Sequence, residues 1–207
     1  MYTGQNLEDQ KVAAWFGQYV GTVLEIGAND GVTYSNSLYL IENSWAAVLV
    51  EPSEKVFPKL AKLHQGNNRV FCINAAIGDH DGQGMLLDSG DFLIKGTCSL
   101  LSTLKPEETK RWGDVSFEET EVSVITFDTL LDRLPFHMRR FDFISLDAEG
   151  MDLDILRQIN LDKVGCKCIC VEHNSYPHIL SQIKEYCVPF GLKNILTMNA
   201  ENIILTV

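Results

Sequence analysis

Positive charge is in short supply here. The 207 residues carry 17 lysines and arginines against 28 aspartates and glutamates, a formal net charge of −11. Such a surface repels phosphate backbones and anionic lipid, so neither nucleic acid nor a membrane surface is expected as a partner. Long apolar runs are also missing. No stretch of 18 apolar residues occurs, so no transmembrane helix is expected. Residues 1–10 have neither a basic start nor an apolar stretch, so no signal peptide is read, and Met1-Tyr2 excludes an N-myristoylation motif. The six cysteines form no C-x-x-C pair. Cys166, Cys168 and Cys170 alternate in an apolar run. On a strand they would share one face, with neighbours roughly 6.5 Å apart, which is too far for tetrahedral zinc. They are expected to be small buried hydrophobes. With Cys72, Cys98 and Cys187 scattered, the chain reads as a reduced, cytoplasmic protein.

What is present is ordinary globular usage, 45% hydrophobic and 22% charged, which excludes disorder and collagen. The length suits one domain over residues 1–207. Residues 1–21 hold an expected N-terminal helix over 6–20, with Val12, Phe16 and Tyr19 on one stripe, Asn6 as cap and Gly21 at its end. Short apolar runs follow at residues 22–26, 46–50, 70–75, 141–146 and 168–171, as in strands buried on both faces. Helical stripes lie between and after them. They are Tyr34, Leu38, Ile41 and Trp45; Val56, Leu60 and Leu63, where Pro58 should delay regular helix; Met151, Ile155 and Ile159; and Ile179, Ile183 and Cys187, with Pro177 at the start. The alternation predicts an α/β fold, a mostly parallel sheet with helices on both faces. Residues 193–198 and 202–207 are joined by only three residues, which predicts a closing hairpin with an antiparallel last strand. Residues 78–120 break the rhythm, with a small hairpin expected near 85–88 and an excursion over 97–112. This insertion is a candidate cover for an acceptor site; an ordinary surface insertion is the alternative.

The acids fall in a pattern. Glu25, Glu51, Asp147 and Glu172 each stand at or near the end of an apolar run. In an open parallel sheet that edge is where ligands bind. The first run continues as Gly27-Ala28-Asn29-Asp30-Gly31, in which Gly27 allows a sharp turn and Gly31 a helix entry. This is not the Gly-x-Gly-x-x-Gly of dinucleotide binders, and no Tyr-x-x-x-Lys pair follows the fourth run, so a nicotinamide oxidoreductase is the lesser alternative. Glu51 follows Gly27 by 24 residues, where a carboxylate can accept both hydroxyl hydrogens of a ribose. An acidic glycine loop with no pyrophosphate to hold suits a cationic nucleoside, S-adenosylmethionine.

The motifs Leu24-Glu25-Ile26-Gly27-Ala28-Asn29-Asp30-Gly31, Tyr34-Ser35-Asn36-Ser37, Val50-Glu51-Pro52, Ala75-Ala76-Ile77-Gly78-Asp79, Ile144-Ser145-Leu146-Asp147-Ala148-Glu149-Gly150 and Val171-Glu172-His173-Asn174 carry a resemblance over residues 23–207. The sequence resembles the FkbM-type methyltransferases, a branch of the S-adenosylmethionine-dependent, Rossmann-like class. The resemblance implies a seven-stranded sheet in the order 3-2-1-4-5-7-6 with strand 7 antiparallel. It also implies methyl transfer to oxygen, on a hydroxyl of a small molecule, sugar or glycan. Two positions depart from the family pattern: Ser145 stands where many members have lysine, and Asp152 where a second glutamate is common.

The expected cofactor contacts are Glu25, Gly27, Asn29, Asp30, Gly31, Ser35, Asn36, Glu51, Pro52, Asn74, Ala75, Ala76 and Asp147. The expected catalytic residues are His173, as general base facing the crevice, with Asp147 and Glu149. For His173 a hydrogen-bonded core position is the alternative. No metal is expected, though Asp147, Glu172 and Asn174 could together offer oxygen ligands to a divalent cation. A cofactor-binding module without catalysis, or a partner-binding domain, is the non-enzymatic alternative.

Overall fold

The computed structural model describes residues 1–90 and 99–207. Cys98 and the start of the expected excursion, residues 97 and 98, lie outside the described residues. Among the described residues there are ten strands: β1 (Thr22–Ile26), β2 (Ala46–Val50), β3 (Val70–Ile73), β4 (Ala76–Ile77), β5 (Gly82–Asp88), β6 (Glu118–Ile125), β7 (Phe143–Leu146), β8 (Cys168–Glu172), β9 (Asn194–Met198) and β10 (Asn202–Thr206). Seven form one sheet in the order β3-β2-β1-β7-β8-β10-β9. Only β10 runs antiparallel to its neighbours. The order differs in detail from the expected numbering because β4, β5 and β6, which the sequence reading did not count, form a second sheet, β4-β6-β5.

Strand alternation builds two cores from one sheet. Leu24, Ile26, Val48, Val50, Ile144, Leu146, Ile169 and Val171 face one way, toward α4 (Phe127–Arg133), α5 (Asp152–Leu156), α6 (Leu161–Val164) and α7 (Pro177–Cys187). Val23, Ala47, Leu49, Phe143, Cys168 and Cys170 face the other way, toward α1 (Glu8–Phe16), α2 (Leu38–Glu42) and α3 (Phe57–Leu63). Successive side chains of a strand point to opposite faces, so continuous apolar runs are required. Each buried aliphatic side chain contributes roughly 1.5–3 kcal/mol. Cys168 and Cys170 share a face as expected, but Cys166 precedes β8 and packs into the opposite core.

Several boundaries differ from expectation for identifiable reasons. α1 begins at Glu8, because Leu7 turns the chain at φ +63° and leaves Asn6 outside, bonded through its amide to Glu201. Glu8 is buried and accepts from the amides of Asn199 and Asn202, which ties the helix start to the closing hairpin. α2 is only five residues long, since the glycine loop extends through Ser37 with Tyr34 at φ +57°. Pro58 does not delay α3; it sits in the first turn, where its missing N–H is harmless. The hairpin expected near 85–88 is instead a long antiparallel pair, β5 with β6, that brackets the excursion. Among the described residues no helix is long and apolar enough to cross a membrane.

Candidate functional site

The site grows from the carboxyl ends of the parallel strands. β1 ends at Ile26, and Gly27 turns the chain at φ +85°. A Cβ at Gly27 would overlap the carbonyl oxygen of Asp147 at the tip of β7. The two strand tips therefore meet where only glycine fits.

The loop that follows is held by two buried carboxylates. Glu25 accepts from the Ser35 hydroxyl (3.0 Å), the Asn36 N–H (2.7 Å) and the Ser37 hydroxyl (2.6 Å). The Asn36 amide donates to the Ser145 hydroxyl at 3.1 Å, which gives this serine a structural role in holding the loop. Glu51, at the end of β2, accepts the Asn29 N–H on one oxygen (2.9 Å) and the Ser53 N–H on the other (2.8 Å). Burial pushes Glu51 up to about 7 against the pull of those two bonds. Each of its oxygens keeps a further lone pair.

A cavity of about 360 Å³ opens beside these groups. One end is lined by Gly27, Asn29, Glu51, Pro52, Ala75 and Ala76, and the other by Asp147, Glu149, Glu172 and Asn174. Glu25, Ser35 and Asn36 also border it. Three expected cofactor contacts do not line it. Asp30 accepts the N–H groups of Val32 (2.9 Å) and Thr33 (2.7 Å), a turn role. Gly31 makes room for α3: a Cβ there would meet Leu60 Cδ1 at 2.7 Å. The Asn74 amide donates to the carbonyls of Glu51 (2.9 Å) and Pro52 (3.1 Å), fixing the loop after β2.

His173 is displaced as well. β8 ends at Glu172, which lines the cavity, so strand alternation turns the next side chain away. His173 is 5% exposed and absent from the lining, and its Nδ1 accepts the Ser175 N–H at 3.2 Å. Burial lowers its basicity. The expectation that it faces the crevice is corrected: it occupies the core position. His173→Ala is expected to leave ligand affinity and turnover within about threefold of wild type and to lower thermal stability by about 1–3 kcal/mol, as for other buried truncations. Parallel melting and turnover measurements check this, and a hundredfold loss of turnover in a folded variant would restore its catalytic role.

Asp147, Glu149 and Glu172 come together. One carboxylate oxygen from each lies within 4.8 Å of the others. Burial, then the charges of Asp152 and Glu25, raises Asp147 to about 7. Burial and the charge of Asp147 raise Glu149 and Glu172 well above the usual carboxylate range. Asp152 holds the connecting loop, accepting the N–H groups of Ala148 (2.8 Å) and Gly150 (3.1 Å).

The insertion supplies residues that sequence reasoning did not single out. Leu101, Arg111 and Trp112 line the cavity. Arg111 pairs with Glu108 at 2.9 Å and stands over the rings of Trp112 and Tyr176. Their only sequence signal is an arginine–tryptophan pair inside a polar excursion.

The family model described as methyltransferase FkbM domain matches residues 25–187. No curated protein sequence matches the chain significantly. Solved structures do. The N-terminal domain of human METTL16 in complex with SAH is 14% identical with a TM-score of 0.47, covering 96% of this chain and 65% of that one. The human METTL16 catalytic domain in complex with a MAT2A 3'UTR hairpin is 12% identical with a TM-score of 0.46, covering 97% and 68%. A putative RNA methyltransferase from Pyrococcus horikoshii is 12% identical with a TM-score of 0.49, covering 97% and 80%. The present chain thus spans about two thirds of the human domain. The expectation of no nucleic-acid partner is withdrawn, because it rested on net charge alone. The net charge of a whole chain does not fix the potential around one cavity, so it was no ground for that exclusion.

Proposed function

Because this chain belongs to the FkbM family of S-adenosylmethionine-dependent methyltransferases, we propose that it methylates a hydroxyl oxygen of a small-molecule or sugar acceptor. One observation carries the reading: a single cavity joins the glycine turn and Glu51 to the acidic wall of Asp147, Glu149 and Glu172. The residues at the first end fit the cofactor. Gly27 has no room for a side chain, Glu51 offers one lone pair per oxygen to two ribose hydroxyls, and Ala75, Ala76 and Ile77 provide an apolar wall for a flat base. S-adenosylmethionine, when bound, supplies a methyl group on a positively charged sulfur. That charge, brought close to the wall, favours the ionised form of its carboxyl groups. Its carboxylates accept a hydrogen bond from the acceptor hydroxyl and aim the oxygen at the methyl carbon. Such alignment is worth about 7–11 kcal/mol at best. Arg111 and Trp112 of the insertion cover the acceptor end in this reading, and the buried thiols suit a reducing, cytoplasmic setting.

The test begins with calorimetry. S-adenosylhomocysteine is expected to bind and NAD is not; the reverse would sink the reading. Labelled methyl transfer is then measured against sugars, hydroxylated small molecules and an RNA hairpin. Label in a sugar or small-molecule hydroxyl supports the proposal; label only in RNA overturns the acceptor class, and binding without transfer favours a non-catalytic module. Once an acceptor is found, Trp112→Ala is expected to raise its KM about tenfold or more with cofactor affinity unchanged, which steady-state kinetics reads directly.

A further inference from the structure

The acidic wall gathers three carboxyl groups and leaves some of their oxygens without partners. Glu149 and Glu172 are each 8% exposed, and Oε2 of both is buried without a hydrogen-bond partner among the described residues. Buried charges are ordinarily paired or bound to a metal, and an unsatisfied buried polar atom demands an explanation. Asp147 adds a third carboxylate and Asp152 a nearby fourth charge. Arg111 acts on the group from one side, but its guanidinium is already engaged by Glu108 at 2.9 Å.

We propose that Asp147, Glu149 and Glu172 bind one hard divalent cation, of the magnesium, manganese or calcium class, at the acceptor end of the cavity. The spacing fits. Ligand oxygens on opposite sides of an ion at about 2.4 Å each stand about 4.8 Å apart, and the three carboxylate oxygens lie within 4.8 Å of one another. The donors are all oxygen, which selects hard cations over zinc or copper. Both tips belong to adjacent parallel strands, β7 and β8, so the sheet itself brings the ligands together. Asn174 borders the same cavity and leaves an amide oxygen, with water, to complete the shell. The cation's purpose rests on the methyl-transfer reading: it would orient the acceptor's hydroxyl oxygen and lower its pKa. Its binding does not depend on that reading.

The experiment titrates the full-length chain, stripped with chelator, with manganese chloride and then magnesium chloride in calorimetry, without acceptor. One manganese ion per chain and a raised melting temperature are expected. Glu149→Gln and Glu172→Gln should each weaken binding at least about tenfold, as loss of a ligand or its support does. Glu119→Gln, on the exposed face of β6, should leave it unchanged. Asp147→Asn, at a partly exposed ligand, serves should either glutamine variant fail to fold. Absence of binding at millimolar manganese, or binding that survives the ligand substitutions, overturns the site. S-adenosylhomocysteine titrated into the same wild-type sample separates the two readings. Its failure to bind counts against methyl transfer, and the manganese result decides the cation site.

Discussion

Gly27→Ala is expected to lose at least about a hundredfold in S-adenosylhomocysteine affinity and to melt several degrees below wild type. Two effects add. The backbone at φ +85° is left-handed, where an L-residue costs about 1–2 kcal/mol. The new methyl would also overlap the Asp147 carbonyl, and a backbone atom cannot swing aside as a flexible side chain can. Both strand tips are pinned: the Gly27 N–H donates to Val50 O at 3.0 Å, and the Asp147 N–H to Ile26 O at 3.1 Å. Relief must therefore part β1 from β7 and misplace the cavity at its centre, where a displacement near 1 Å can cost about a hundredfold. Gly31→Ala is the comparison. It is strained at φ +79°, but its contact is a leucine methyl outside the cavity, so stability should fall with much less loss of affinity. Calorimetry and melting on both variants decide it; wild-type affinity in Gly27→Ala would remove the glycine turn from the cofactor site.

The parallel sheet was legible because its evidence is local. Runs such as Ala46–Val50 are apolar on both faces, and Pro177 marks where α7 starts. The three residues between β9 and β10 force an antiparallel return, helped by Asn199, whose side chain accepts the N–H groups of Glu201 (2.8 Å) and Asn202 (2.7 Å). The second sheet was illegible because β5 and β6 pair across 29 intervening residues, and neither strand is apolar enough to announce itself. α1 was overextended at both ends, because Leu7 and Gly17 turn the chain at φ +63° and +60°, and the contact that anchors its start, Glu8 with the hairpin amides, joins residues almost 200 apart.

Within the site, period-two reasoning was applied one residue too loosely. The acids at the strand ends do gather at one edge, since parallel register places Leu146 beside Val171 and Ile26 beside Leu146. The same alternation that aims Glu172 into the cavity turns His173 out of it. Asp30 and Asn74 belong to the right loops but spend their hydrogen bonds on backbone. Trp112 and Arg111 reach the cavity only because the excursion folds back, and no spacing rule anticipates that.

Glu51→Gln is expected to weaken S-adenosylhomocysteine binding about 10–150-fold, the equivalent of a lost charged acceptor at about 1.5–3 kcal/mol. The substitution is nearly isosteric, but the surroundings are not neutral to it. Each Glu51 oxygen accepts a backbone N–H, from Asn29 and from Ser53, so a glutamine must set its own NH₂ against one of those donors. It also leaves one fewer acceptor for the ribose. The pH dependence gives an independent reading. Glu51 lies at about 7 in the free protein, above its ordinary value, so at pH 6 it is mostly protonated. Two ribose hydroxyls donate to the ionised form, and binding must then expel a proton. Affinity should therefore be level above about pH 7 and fall about tenfold per pH unit below it, while the ligand's amino group, near 7.7–8.0 in reference peptides, stays charged. In Glu51→Gln that slope should vanish between about pH 5.5 and 7. Calorimetry across this range, on both chains, makes the comparison. If the slope survives the substitution, another group is titrating; if the glutamine chain binds as tightly as wild type at pH 8, the ribose contact belongs elsewhere in the cavity.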